Sequence, residues 1–242
     1  MIPYRDFTYP LNVFMHILTH EEGEVRYLHY GLFEQPDESI AVAQERSTEL
    51  LLSRLPPPPA RLLEVGAGLG TTLDRLVRLG YDAQGITPDE KQVAMAGGRV
   101  TLSSFEAFEG GPFDVILFQE SSQYIDSEAL FAKARDLAPR VVVLDEFAMQ
   151  PLDEPGALRP LDGFLRAAAA NGFPVAEDLD LSAKAAPTID YFRVRLPRYR
   201  DALIADLGLT GQQVDDLVAG GERYGSRYSS GVYAYRLLDL RR

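Results

Sequence analysis

The chain has 242 residues, 46% of them hydrophobic, with a net charge of −12 and no cysteine. That hydrophobic share suits a globular protein with a sizeable core; the missing cysteine excludes disulfides, thiol nucleophiles and thiolate-held clusters, and the acid excess makes nucleic acid a poor partner. No stretch reaches the roughly 20 apolar residues of a membrane helix, and MIPYRDFTYP at the start lacks a basic region followed by an apolar run, so the expectation is a cytoplasmic protein without a signal peptide or membrane partner.

Residues 1–55 read as mostly helical. SIAVAQERSTELLLSRL (39–55) sets Ile40, Ala43, Leu50, Leu51 and Leu55 at helical spacing behind Ser39 as cap. PPPP (56–59) ends that run as a linker. Strand and helix then alternate: RLLEV, the helix TTLDRLVRLG, YDAQGI, the short helix PDEKQVAMAGG, VTLSSF, the buried strand FDVILFQE, the helix DSEALFAKARDLA and a second buried strand, RVVVLDEF. LDGFLRAAAANG reads as a helix closed by Gly172, PVAEDLDL as a sixth strand, 190–207 and 210–224 as helices, and GVYAYRLLDL as the last strand. This alternation predicts an α/β fold with a mostly parallel sheet covered by helices on both faces. The expected organisation is one domain over 1–242: a helical lid (1–55), a sheet core (60–182 and 229–242) and a helical insert (183–228).

LLEVGAGLG (62–70) carries the most chemistry. In an open α/β sheet, ligands bind beyond the carboxyl ends of the strands, where strand order reverses. Glycines there permit positive φ and let a ligand approach the backbone. Gly66, Gly68 and Gly70 are each two residues apart, unlike the Gly-x-Gly-x-x-Gly of dinucleotide sites. With Glu64 in front, the pattern acid-x-Gly-x-Gly-x-Gly resembles motif I of the class I S-adenosylmethionine (SAM) methyltransferases. The resemblance implies a Rossmann-like seven-stranded sheet with an antiparallel last strand, SAM as cofactor, and a glycine loop packed along it. Glu64 would fix the loop and the cofactor's ammonium.

Three further stretches extend the likeness towards the cyclopropane fatty acid synthase-like branch. GITPDEKQ (85–92) is similar to that branch's Gly-Val-Thr-Leu-Ser-x-x-Gln, which implies Thr87 and Gln92 on the ribose side, with Asp89 as a substitute. SSFEAF (103–108) stands where the third strand ends, implying Ser104 and Phe105 at the adenine; Phe105 also reads as a plain core residue. FDVILFQESSQYI (113–125) resembles the motif IV region, with Gln119 nearest the methionine part of SAM and Glu120 matching the family's Glu. LHYGLFEQPDESIAVAQE (28–45) resembles the segment that closes over SAM and brings Tyr30 to the cofactor. The likeness spans residues 28 to about 150.

Tyr30 and Tyr124 replace that branch's cysteine and histidine, and no basic or amphipathic face suits membrane docking. The expected function is therefore methyl transfer to an O, N or C atom of a small soluble acceptor, with specialised metabolism as a setting. The alternative is a protein of this fold that binds SAM without transferring methyl, as a silent partner or in a SAM-assisted rearrangement. A nicotinamide oxidoreductase is disfavoured by the glycine spacing and by Thr87. A general base helps only acceptors that hold a proton; His29, Tyr30, Glu120 and Tyr124 are the candidates, with packing for His29 and loop bracing for Glu120 as the plainer alternatives. The tyrosines of YGSRYSSGVYAY (224–235) line a pocket or pack on the last strand. His16 and His20, four apart and followed by Glu21 and Glu22, have metal-ligand spacing. No third ligand stands out in the sequence, so the expectation is a solvated helix end and no metal.

Overall fold

The computed structural model describes residues 4–35 and 37–242. The chain divides into two compact units. One takes the chain up to Ser47 together with Ala183–Gly231; the other takes Thr48–Ser182 and Val232–Arg242. The division falls inside a helix, and the proline run lies within the second unit.

The second unit is built on a seven-stranded sheet: β1 (Arg61–Val65), β2 (Asp82–Thr87), β3 (Thr101–Leu102), β4 (Val115–Gln119), β5 (Arg140–Ala148), β6 (Val175–Asp180) and β7 (Tyr233–Arg241). Their order is β3-β2-β1-β4-β5-β7-β6. β1 to β5 pair in parallel, whereas β7 runs antiparallel to both β5 and β6. The architecture expected from the sequence is present, including the antiparallel last strand. Strand order reverses between β1 and β4, so their carboxyl ends flank the switch point where ligands bind.

β4 and β5 are almost wholly buried, as parallel strands covered on both faces must be. Leu63, Val65, Ile116, Phe118, Val141 and Val143 face one way, into a core with Phe131 of α5 (Ser127–Leu137) and Phe164 of α6 (Leu161–Ala170). Side chains alternate along a strand, and paired neighbours share a face. The register Glu64↔Gly85 and Glu64↔Leu117 therefore puts Glu64, Thr87 and Gln119 together on the opposite face. α3 (Thr71–Arg78) follows β1, and α4 (Glu90–Met95) follows β2.

The first unit is helical. α1 (Leu11–Glu22), α8 (Pro187–Arg195), α9 (Arg200–Leu207) and α10 (Gly211–Ser229) join the first turns of α2 (Ile40–Leu52); α7 (Ser182–Ala185) lies at the unit's edge. Val13, Met15 and Ile17 of α1 share a core with Ile40, Ala43, Leu203 and Val214. Ser39 caps α2 as expected, its hydroxyl accepting from the Ala41 N–H at 3.1 Å. α10 begins with a capping box in which Thr210 and Gln213 satisfy each other's backbone N–H.

Candidate functional site

At the end of β1, Gly66, Gly68 and Gly70 all take positive φ (74°, 54° and 79°), a region that costs L-residues roughly 1–2 kcal/mol. The Gly66 and Ala67 N–H groups both donate to the Ile86 carbonyl, at 2.9 and 3.0 Å. A Cβ on Gly66 would sit 2.3 Å from Ser121 Cβ, so the loops after β1 and β4 touch where only glycine fits. Gly70 caps α3 in the left-handed conformation.

Glu64 is buried, and its Oε2 has no hydrogen-bond partner. Burial pushes its carboxyl up to about 8. A buried acid with an orphaned oxygen stays protonated near neutrality unless a cation or donor reaches it.

The β2 exit brings Thr87 and Gln92 together, with the Thr87 hydroxyl donating to Gln92 Oε1 at 2.7 Å. Asp89 stands at the start of α4. It caps α4, accepting from the N–H groups of Lys91 (2.8 Å) and Gln92 (3.2 Å). Both bonds fall on Oδ1, because Asp directly before a helix accepts from the orphan N–H groups of the first turn. After β3, Ser104 Oγ accepts from the Ala107 N–H at 3.2 Å. Phe105 is 2% exposed and packs edge-on to Phe118 with ring centroids 5.4 Å apart. Its ring therefore belongs to the core, the plainer of its two readings.

The β4 exit turns by other means. Gln119 is buried; its Oε1 accepts from Thr72 at 3.3 Å and its Nε2 donates to Thr48 at 3.5 Å. Glu120 is the one non-glycine with positive φ (55°) among the described residues. Its N–H donates to the Leu144 carbonyl at 2.8 Å, and its Oε1 accepts from the Tyr235 hydroxyl at 2.6 Å. Ser121 donates to the Val65 carbonyl at 2.5 Å. Asp145 of β5, fully buried, then gathers the following turn: its Oδ2 accepts from Ser122 N–H (3.0 Å), Ser122 Oγ (2.6 Å) and Gln123 N–H (3.3 Å). Burial raises the Asp145 carboxyl, and the Ser122 and Glu146 hydrogen bonds pull it back. Tyr124 ends this turn 81% exposed.

Sequence reasoning misses Asp145 and Ser121, and leaves Tyr235 between a pocket and strand packing. The one available signal is an acid inside the buried run VVVLDEFA. Paired residues share a face, so Glu146, opposite Tyr235 in the register, shares the face of Gln119, which pairs with Leu144.

His29 and Tyr30 lie in the first unit. His29 is 8% exposed, and its Nδ1 donates to the Tyr30 carbonyl at 2.9 Å. Burial lowers its pKa to about 4, so the ring is neutral across the physiological range and is a weak base. Tyr27 packs on it with centroids 4.7 Å apart. The segment that follows is anchored by Gly31 N–H on Thr188 Oγ1 (3.1 Å) and Leu32 N–H on the Ala43 carbonyl (2.8 Å). In the same unit, His16 and His20 gain a carboxylate neighbour that their sequence spacing does not reveal, Asp206 of α9.

No family model matches the chain, and no curated protein matches it in sequence. Solved structures do match. The cyclopropane synthase MmaA2 from Mycobacterium tuberculosis superposes with a TM-score of 0.82 at 18% identity, covering 100% of this chain and 96% of its own. The (4+2)-cyclase SpnF gives 0.76 at 21% identity, covering 94% and 91%. Geranyl diphosphate C-methyltransferase from Streptomyces coelicolor A3(2) gives 0.71 at 17%, covering 99% and 95%. The chain has the class I SAM methyltransferase fold.

That methyltransferase fold implies SAM, and the residues present fit it. SAM carries an ammonium, and Glu64 offers a buried oxygen without a partner at the switch point. Thr87 and Gln92 form a neutral polar pair on the Glu64 face, suited to ribose hydroxyls. The methyltransferase-type glycine loop is bare for two reasons at once: its positive φ values, and the contact of Gly66 with Ser121.

Proposed function

We propose that this protein is a SAM-dependent methyltransferase acting on a small soluble acceptor. The observation that carries the reading is the orphaned, buried Glu64 carboxylate behind three positive-φ glycines at the strand-order switch. In this reading Glu64 receives the ammonium, the Gly66–Gly70 loop lies along the cofactor, Thr87 and Gln92 take the ribose, and Ser104 serves the adenine edge. Gln119 serves the methionine part. When bound, SAM supplies an electrophilic methyl group on a sulfonium. The protein's own work is then to align the acceptor and exclude water.

Among the expected bases, Glu120 has the best support. It is a carboxylate at the β4 exit, oriented by the Tyr235 hydroxyl. His29, with a pKa near 4, is too weak a base for an alcohol or amine acceptor and fits a packing or positioning role better. The exposed Tyr124 fits contact with the acceptor better than proton removal.

A second reading, SAM binding without methyl transfer, is supported by the cyclase among the fold neighbours. One experiment separates the two. SAM affinity is measured by calorimetry for wild type and Glu64→Gln, alongside a screen of small phenols, amines and acids for S-adenosylhomocysteine release. Methyl transfer with wild-type affinity at least about tenfold above that of Glu64→Gln supports the first reading; charged hydrogen bonds contribute roughly 1.5–3 kcal/mol. Binding without release across the screen favours the second, and no SAM binding overturns both.

A further inference from the structure

The helical first unit holds a cluster of possible metal ligands separate from the residues proposed to hold SAM. His16 and His20 are four residues apart on α1, so they share one helix face. Asp206 comes from α9, 190 positions away in the chain from His16. One ligand atom from each of the three residues lies within 4.8 Å of the others. His16 Nε2 and Asp206 Oδ2 are 2.9 Å apart. Ligand atoms held by one tetrahedral ion at bond lengths of about 2.0–2.1 Å stand roughly 3.3 Å from each other, so this pair needs almost no adjustment.

Two details prepare the rings. His20 Nδ1 is 2.8 Å from the His16 carbonyl. A carbonyl only accepts, so Nδ1 carries the proton and Nε2 carries the lone pair, the tautomer set up when a ligating histidine donates its other nitrogen to a backbone carbonyl. The two rings stack at 4.2 Å with an interplanar angle of 19°. His16 is fully buried, with its Nε2 turned to Asp206. His20 is exposed and the Asp206 side chain is 38% exposed, which gives an ion a way in and those two side chains room to close on it.

The acids next to the histidines in sequence are engaged elsewhere. Glu21 accepts from Tyr199 (2.6 Å) and Arg195 (3.0 Å), and Glu22 from Tyr191 (2.8 Å) and Ser39 (2.5 Å). The third ligand therefore comes from a distant helix. From this arrangement we infer that His16, His20 and Asp206 form a binding site for a divalent transition-metal ion, Zn²⁺ by the chemistry of its donors. Two imidazoles and one carboxylate suit Zn²⁺, whereas Mg²⁺ and Ca²⁺ favour all-oxygen shells. The ion would clamp α1 to α9 and leave a fourth position for water. Because it ties together distant parts of the chain, its binding energy adds to the stability of the helical unit.

The test uses the 242-residue chain, treated with chelator and dialysed, then titrated with Zn²⁺ by calorimetry and with Co²⁺ by visible spectroscopy. One equivalent of Zn²⁺ should bind, the melting temperature should rise, and Co²⁺ should give d–d bands. His20→Ala and Asp206→Asn should each weaken binding by about 100-fold or more and abolish the bands, loss of a ligand outweighing the 10–100-fold cost of a second-sphere change. His20→Ala keeps the His16–Asp206 hydrogen bond, so its metal-free melting temperature should match the wild type. No saturable Zn²⁺ binding by the wild type, or equal binding by wild type and both variants, would overturn the site.

Discussion

β1 and β4 are neighbours in the sheet, and both chains turn sharply on leaving it. After β1 the turn is made by three glycines, each at positive φ. After β4 it is made by Glu120, a residue with a side chain that holds φ at 55°. Backbone there is costly for an L-residue and persists only where the surroundings hold it. Here Leu144 takes the Glu120 N–H, Tyr235 binds its carboxylate, Ser121 reaches back to Val65, and Asp145 holds Ser122 and Gln123. One turn is encoded by the residues that make it; the other is imposed by residues from β1, β5 and β7. A change in the first turn therefore acts directly, and a change in the second can act from a distance.

The most damaging substitution should be Gly66→Val. It puts a branched side chain at positive φ and drives its Cβ into Ser121, combining overpacking with backbone strain for a loss of about 3–5 kcal/mol. Denaturant unfolding measures this. A variant of near-normal stability would mean that the two loops do not need their close contact.

Asp145→Ala tests the other turn from a different strand. It leaves the Ser122 N–H, the Ser122 hydroxyl and the Gln123 N–H without their carboxylate, at a cost of about 2–4 kcal/mol. If the β4 turn were self-sufficient, unfolding would shift by less than about 0.5 kcal/mol, as for a plain surface change.

Glu64 gives the comparison a pH signature. Its folded carboxyl near 8 lies above its ordinary value, so the folded state holds the proton more tightly. Its contribution to stability is fully present below the unfolded carboxylate range and is lost as pH rises towards 8. An ammonium drawn to Glu64 favours the ionised form, so binding should release a proton. SAM affinity should then rise with pH between 6 and 7.5, by up to about 20-fold from proton linkage. Calorimetry in two buffers of different ionisation enthalpy reads the proton release, and Glu64→Gln should abolish both slopes. A pH-independent affinity in the wild type would remove Glu64 from the cofactor's ammonium.

The smallest effect expected is at the β2 exit. Thr87→Ala removes one neutral hydrogen bond and should weaken SAM binding by about 1 kcal/mol. Asp89→Ala should instead lower stability by about 1 kcal/mol through loss of the α4 cap, with SAM affinity unchanged. The reverse outcome in paired calorimetry and melting would return the ribose contact to Asp89.

Much of the fold is legible in the sequence because its signals are local. The buried runs FDVILFQE and RVVVLDEF become β4 and β5, and the alternation of strands and helices gives the parallel sheet. The candidate site is legible where the chemistry and the backbone are written in the same few residues, as in Glu64 and the three glycines, and in Thr87 and Gln92 five positions apart. Asp89 is open in the sequence because an acid before a helix can serve a cap or a ligand, and the structure shows its Oδ1 on the cap. Phe105 is ambiguous because an aromatic ring covers a ligand and fills a core with the same composition.

By itself, then, the sequence determined what depends on neighbours along the chain: the strand and helix pattern, the left-handed loop after β1, and the cap of α2. The tertiary structure alone decided which distant groups meet. Asp145 reaches the β4 turn from the neighbouring strand β5, Tyr235 reaches Glu120 from 115 positions away, and Asp206 comes to His16 from 190. Hydrogen bonds and metal ligation act over a few ångströms in space and are blind to separation along the chain, so no local pattern of residues announces them.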